Sequence, residues 1–122
     1  MKLILFILHD TSKLVDLLNA WKEAGATGAT VLFSTGMGRI RLSASLRDDL
    51  PLMPSLNDFY TRDEELSRTL FTVVKDEKSV KRIIAATRDV VGDMNEPETG
   101  LLVVMPVEQI EGLKKKQPKN RT

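Results

Sequence analysis

The chain has 122 residues, of which 42% are hydrophobic and 29% charged; that composition excludes a disordered polymer and suits one domain, since domains commonly hold ~100–150 residues. It contains no cysteine, which rules out disulfides and thiolate chemistry and fits a cytoplasmic setting, and no apolar run approaches the ~20 residues needed to cross a bilayer. The net charge of +1 hides a split: Lys114, Lys115, Lys116, Lys119 and Arg121 bring five cations and no acid to the last nine residues, so residues 1 to 113 carry −4 and the body has no electrostatic case for binding nucleic acid.

Lys2 to Leu8 is a short continuous apolar run closed by His9 and Asp10. It stops before a signal-peptide core would be complete and reads as a central strand. From Ser12 the period changes to helical. Leu14, Val15, Leu17, Leu18, Trp21 and Ala24 share one face, Asp10, Thr11 or Ser12 can cap the start, and Gly25 closes the end. Thr30 to Phe33 supply β-branched and aromatic residues for a second strand. Gly36 and Gly38 then let the backbone turn, which gives either a place for a ligand to lie against main chain or a hairpin with nothing bound.

Residues 40 to 66 lose any sustained periodicity, and Pro51 and Pro54 argue against a continuous helix or central strand, although a short helix from Ser55 fits. A connection this long is unusual in a compact domain unless it is functional or disordered. It mixes Leu50, Leu52, Met53, Leu56, Phe59 and Tyr60 with many charges, as expected of a surface that docks onto a partner or packs back onto its own domain. Thr69 to Val74 reads as a third strand. Asp76 caps a second helix with apolar positions Val80, Ile83, Ile84, Thr87, Val90 and Val91, and Gly92 ends it. A turn from Asp93 to Gly100 leads to a fourth strand, Leu101 to Val107, and the residues after 113 read as a disordered basic tail.

This β-α-β, long loop, β-α-β order predicts an α+β ferredoxin-like sandwich: a four-stranded antiparallel sheet with both helices on one face, in a single domain over residues 1 to 113. The sheet's other face is too apolar to stay in water. An oligomer is expected.

The run Gly25-Ala-Thr-Gly-Ala-Thr-Val31, followed by Gly36-Met-Gly-Arg39, the long loop between strands 2 and 3 and the glycine-bearing turn before strand 4 resemble the nitrogen-regulatory PII family. The resemblance implies a homotrimer with its sheets facing inward and an adenine-nucleotide pocket in each cleft between subunits, often with 2-oxoglutarate as a second effector. It implies effector contacts at Thr30, Gly36, Met37, Gly38, Arg39, Gly92 and Gly100. It also implies a partner-binding T-loop over residues 39 to about 66, with Arg47, Leu50, Leu52, Met53, Phe59 and Tyr60 on the docking surface and a membrane transporter among the candidate partners. No resident cofactor and no catalytic role follow from it.

The chain departs from that family where phosphate is held. Val91-Gly-Asp-Met-Asn-Glu-Pro-Glu-Thr-Gly100 has no lysine, Leu101 stands where the last lysine of the family's loop would be, and Gly112 and Lys114 replace two arginines. Glu96 and Glu98 add negative charge at the same turn, whereas phosphate needs Lys, Arg or a metal to offset it. Ile40 replaces the glutamine associated with magnesium and 2-oxoglutarate, and Tyr60 lacks the context of the family's modified tyrosine. The expected effector therefore has less phosphate charge than ATP: ADP, AMP or a cyclic nucleotide. A different small molecule stays open.

His9 is the sole histidine, so one chain cannot build a histidine metal cluster, and a Ser-His-Asp triad would depend on this one residue at a strand end. The Gly36-to-Arg41 run lacks the third glycine of a dinucleotide fingerprint. Two other readings stay beside the regulatory one. One is a trimer of the divalent-cation-tolerance type, or a small α+β-barrel enzyme, using its clefts for metal or substrate; the other is an assembly module whose long loop binds no ligand.

Overall fold

The computed structural model describes residues 1–37 and 66–113. Gly38, Arg39, the docking residues Arg47, Leu50, Leu52, Met53, Phe59 and Tyr60, the short helix from Ser55 and the basic tail lie outside the described residues.

Strand β1 (Lys2–Leu8) pairs antiparallel with β3 (Ser67–Val74) on one side and β4 (Gly100–Pro106) on the other, and β2 (Thr30–Ser34) pairs antiparallel with the outer edge of β3. The sheet order is β2-β3-β1-β4. Each βαβ unit thus brackets one strand of the other, the ferredoxin-like arrangement expected from the element order. β3 starts two residues before the expected Thr69. Ser67 pairs with Ser34, and the two hydroxyls lie 2.8 Å apart.

Helix α1 (Leu14–Glu23) follows a 3-10 turn over Thr11–Lys13, so the helix proper begins later than Ser12. Asp10 caps that turn, accepting from the Ser12 N–H at 3.1 Å and from its hydroxyl at 2.6 Å. At the other end Gly25 takes φ 110, its N–H donates to the Lys22 carbonyl and the Ala26 N–H reaches back to that of Trp21. This pair of bonds is a Schellman ending, and it explains the glycine. Helix α2 (Glu77–Val91) starts on Asp76, whose carboxylate accepts from the Ser79 N–H at 2.9 Å, and ends at Gly92 with φ 87.

Both helices cover the same face. Ile4, Phe6, Leu8, Leu70 and Val74 of the sheet form one buried cluster with Leu17 and Trp21 of α1 and Val80, Ile83 and Val91 of α2. Thr87 is buried among them, and its hydroxyl accepts from the Trp21 indole N–H at 2.9 Å while donating to the Ile83 carbonyl at 2.7 Å. One apolar assignment fails: Val15 is 67% exposed. At 100° per residue it falls about 110° from the centre of the Leu14, Leu17, Leu18, Trp21 stripe, beyond the arc that two packed helices cover.

The opposite face carries no helix. In register it presents Leu5 between Phe71 and Val103, and Leu3 between Val73 and Met105. Leu32, Leu101 and Met105 are 50%, 55% and 42% exposed there. Among the described residues no helix is long and apolar enough to cross a membrane.

Candidate functional site

The chain leaves α1 through its Schellman turn and runs as Ala26 to Ala29 toward the start of β2. Thr72 fixes this passage, because its hydroxyl donates to the Gly28 carbonyl. β2 pairs only with the first part of β3, from Ser67 to Phe71, so Thr72 to Val74 continue past it and leave a notch at the sheet edge. After β4, the Val107 N–H donates to the Met1 carbonyl at 3.1 Å, and the chain then crosses until Gly112 and Leu113 reach that notch.

The result is a cavity of ≈ 330 Å³ lined by Thr27, Gly28, Ala29, Thr30, Phe71, Thr72, Val73, Gly112 and Leu113. Thr30 stands opposite Phe71 in the ladder. Among the described residues no charged side chain lines this cavity. The walls offer an aromatic ring, methyl groups and backbone amides, a chemistry suited to a flat, weakly polar ring and not to a free phosphate.

The turn at the start of β4 has the opposite character. Asp93, Glu96 and Glu98 lie in it without a base. Asp93 already occupies the turn's own donor, since its carboxylate accepts from the Asn95 N–H at 2.9 Å; the Glu96 N–H goes to the Asp93 carbonyl at 3.1 Å and the Thr99 hydroxyl to that of Glu96 at 3.0 Å. Glu98 adopts φ 63, which leaves the backbone bent without a glycine. An anion approaching this turn meets like charge and a donor already taken.

Gly100 has a structural reason of its own. A Cβ there would stand 2.5 Å from the Phe6 ring and 2.6 Å from the Ile7 carbonyl oxygen, so the residue must be small for β4 to lie against β1. By contrast, a Cβ on Gly36 would meet nothing within 4 Å, and Met37 is 68% exposed.

The described residues of the predicted site do not converge within one chain. Ser34 is opposite Ser67, and Leu8 is opposite both Arg68 and Gly100, so the end of β2 and the start of β4 share one end of the sheet but occupy opposite edges. Three strand spacings separate those edges, roughly 14 Å, and Thr30 stands about 13 Å farther along β2. The notch holding Thr30 is therefore one wall of any shared site, and the Gly92 to Gly100 turn is a different one.

Phe71, Thr72, Val73 and Leu113 line the notch without having been singled out, and Gly112, named above only as the replacement of a family arginine, lines it too. Their contribution depends on a strand overhang and a chain crossing, neither of which leaves a local sequence signal. Among the described residues no group of three or more His, Cys, Asp or Glu could hold a metal ion. The carboxylates held below their usual range are Asp10, mainly by the Ser12 hydroxyl, and Asp76, mainly by the Ser79 N–H; both are helix caps away from the notch.

Comparison with curated proteins gives no match. Comparison with protein-family models matches residues 1–117 to the nitrogen regulatory protein P-II model. The match runs through both βαβ units and the connection between them, and with the ferredoxin-like sheet it establishes that the chain belongs to the P-II family of nitrogen regulatory proteins.

Proposed function

We propose that the chain is a homotrimeric sensor that takes an adenine nucleotide of low phosphate charge, such as ADP, AMP or a cyclic nucleotide, into a cleft between subunits and controls a partner protein through residues 39 to 66. P-II proteins are regulatory and act as trimers with protein partners and small effectors. The observation that carries the finer reading is the contrast between the two walls: an uncharged notch at Thr27 to Thr30, and a turn whose Asp93 holds the Asn95 N–H beside Glu96 and Glu98.

The base and ribose occupy the notch on the wall that the 25–39 stretch supplies, with Thr30, Gly36, Met37, Gly38 and Arg39 as its effector contacts, while Gly92 and Gly100 belong to the opposite wall. Because the two walls are far apart in one chain, a second copy completes the site. The open sheet face favours such assembly: burying a Leu or Phe fully contributes about 1.5–3 kcal/mol, and Leu3, Leu5, Phe71, Val103 and Met105 stand together there. Arg47, Leu50, Leu52, Met53, Phe59 and Tyr60 form the surface that meets the regulated protein, with a membrane transporter as the leading candidate class.

Light scattering on the purified chain and calorimetry with adenosine, AMP, ADP, a cyclic nucleotide and magnesium-ATP test this reading. A trimer that prefers AMP or ADP to magnesium-ATP is expected. Micromolar magnesium-ATP binding strengthened by 2-oxoglutarate would overturn the argument from the acidic turn, and a monomer would overturn the shared cleft.

A further inference from the structure

We propose that the groove on the α1 side of the Ala26-to-Ala29 strap is a second small-molecule site, which takes a monocarboxylate with a compact apolar body. This surface is distinct from the notch, and its ligand is independent of the adenine-nucleotide reading.

The strap has a cavity on each side. Toward β3 lies the notch; toward α1 lies a groove of ≈ 410 Å³, enclosed by Leu18, Trp21 and Lys22 on one wall and by the strap on the other. That volume falls within the ~300–1,000 Å³ of ligand pockets. Leu18 and Lys22 are four residues apart, so one edge of α1 presents an apolar side chain and, a turn later, an ammonium. Lys22 is the one charged side chain among the described residues of the lining. Among the described residues no carboxylate pairs with it; the ion pair there joins Lys2 to Glu77.

Both walls are fixed before a ligand arrives. The Trp21 carbonyl accepts from the Ala26 N–H at 2.9 Å, which ties the start of the strap to α1, and the Gly28 carbonyl accepts from the Thr72 hydroxyl, which ties its middle to β3. Trp21 forms the back of the groove with its indole N–H committed to Thr87 at 2.9 Å, so its polar atom is turned to the helix seam. Preformed walls lower the ordering cost of binding, and only the Lys22 stem has to come to rest. The lining then selects the occupant. Leu18, Ala26 and Ala29 offer hydrocarbon to its body, while Lys22 offers a single point charge, enough for one carboxylate and too little for a phosphate carrying nearly two. A strap of four residues spans at most ~14 Å, too short a wall to seat a partner helix, so a small molecule is the occupant that fits.

The test titrates the full chain with 4-methylpentanoate, its neutral amide and the corresponding amine, by calorimetry and by the emission of Trp21, the one tryptophan. The carboxylate should bind about fivefold more tightly than the amide at low salt, with the amine weakest, and Lys22→Gln should make carboxylate and amide equal. Lys22 is exposed, so Lys22→Gln leaves the fold intact, which an unchanged melting temperature verifies. Leu18→Asp, which puts a carboxylate on the apolar wall, should abolish binding of the acid. A natural chain that binds none of the three at millimolar concentration overturns the inference, as does an acid-to-amide ratio that survives Lys22→Gln. A change of oligomeric mass in Leu18→Asp, read by light scattering, would make the groove a contact between copies and overturn it too. Nucleotide titrations of the natural chain read the adenine proposal separately.

Discussion

Replacing Gly100 by alanine separates two reasons for a glycine at that position. The added methyl carbon would sit 2.5 Å from the Phe6 ring and 2.6 Å from the Ile7 carbonyl oxygen. Phe6 is fully buried and Ile7 belongs to the central strand, so neither contact can relax by moving a flexible side-chain end. Gly100 also has φ 155, which an L side chain adopts with strain. Overpacking of this kind costs about 1–3 kcal/mol, and a rigid backbone neighbour puts Gly100→Ala near the top, about 3 kcal/mol. Urea denaturation followed by the fluorescence of Trp21, the one tryptophan and 1% exposed, measures it at fixed protomer concentration. The transition should move to lower urea with m unchanged, and melting should fall by roughly 10 °C. Below the transition the variant should bind adenosine as the natural chain does, because on the proposed reading base and ribose sit in the notch and not against the Gly100 wall. A variant of natural stability that has lost nucleotide affinity would refute the packing argument and leave ligand contact as the reason for the glycine.

Thr87→Val keeps the shape of the side chain but strands the Trp21 indole N–H, which now donates to the Thr87 hydroxyl at 2.9 Å in the buried seam between α1 and α2. An unsatisfied buried donor costs about 1–3 kcal/mol, so stability measured by denaturation should drop by that amount; a variant as stable as the natural chain would mean that the seam relaxes around the lost bond. Acid should weaken the fold through its caps. Asp10 and Asp76 are held below the ordinary 3.8 by their hydrogen bonds to Ser12 and Ser79. A depressed folded-state pKa gives stability that is fully present above the unfolded value and is lost as pH falls through the folded one, so the loss begins near pH 4 and grows below it. Asp76→Asn keeps a capping oxygen while removing the titration, so it should flatten that acid slope in melting curves; an unchanged slope would assign the acid sensitivity to other groups.

Periodicity and cap chemistry made most of the fold legible. Lys2 to Leu8, the Asp76 cap and the Gly92 stop lie where the residue pattern puts them, because each depends on neighbours within one turn or one strand. Val15 shows the limit of that reasoning. Its hydrophobicity places it with the apolar stripe, but burial depends on where the other helix lies, and α2 covers only the arc centred near Leu17 and Trp21. The site was less legible than the fold for the same physical reason. Thr30 carries a local signal, strand chemistry after a glycine-rich turn, whereas Phe71 to Val73 join it only because β3 outruns β2, and Gly112 and Leu113 only because the chain crosses after β4.

The two walls also differ in how their backbone polar groups are satisfied, and this bears on the effector proposed for them. In a phosphate-binding turn, free N–H groups and cations wait for an anion. Here the Asn95 N–H is already held by Asp93, within a segment that also carries Glu96 and Glu98. The turn is consequently formed before any ligand arrives, and a polyphosphate would have to displace a carboxylate while approaching two more. At the notch the polar groups are arranged otherwise: Thr72 is committed to the Gly28 carbonyl, and the described lining residues carry no charge. On the proposed reading a ligand is selected by the flat, weakly polar part that the notch can cover, and an added phosphate meets no counter-charge among the described residues of either wall. Discrimination among adenine compounds in this chain should therefore run from few phosphates to many, the reverse of a site built around triphosphate, with the order set by the turn's charge and not by the fit of the base.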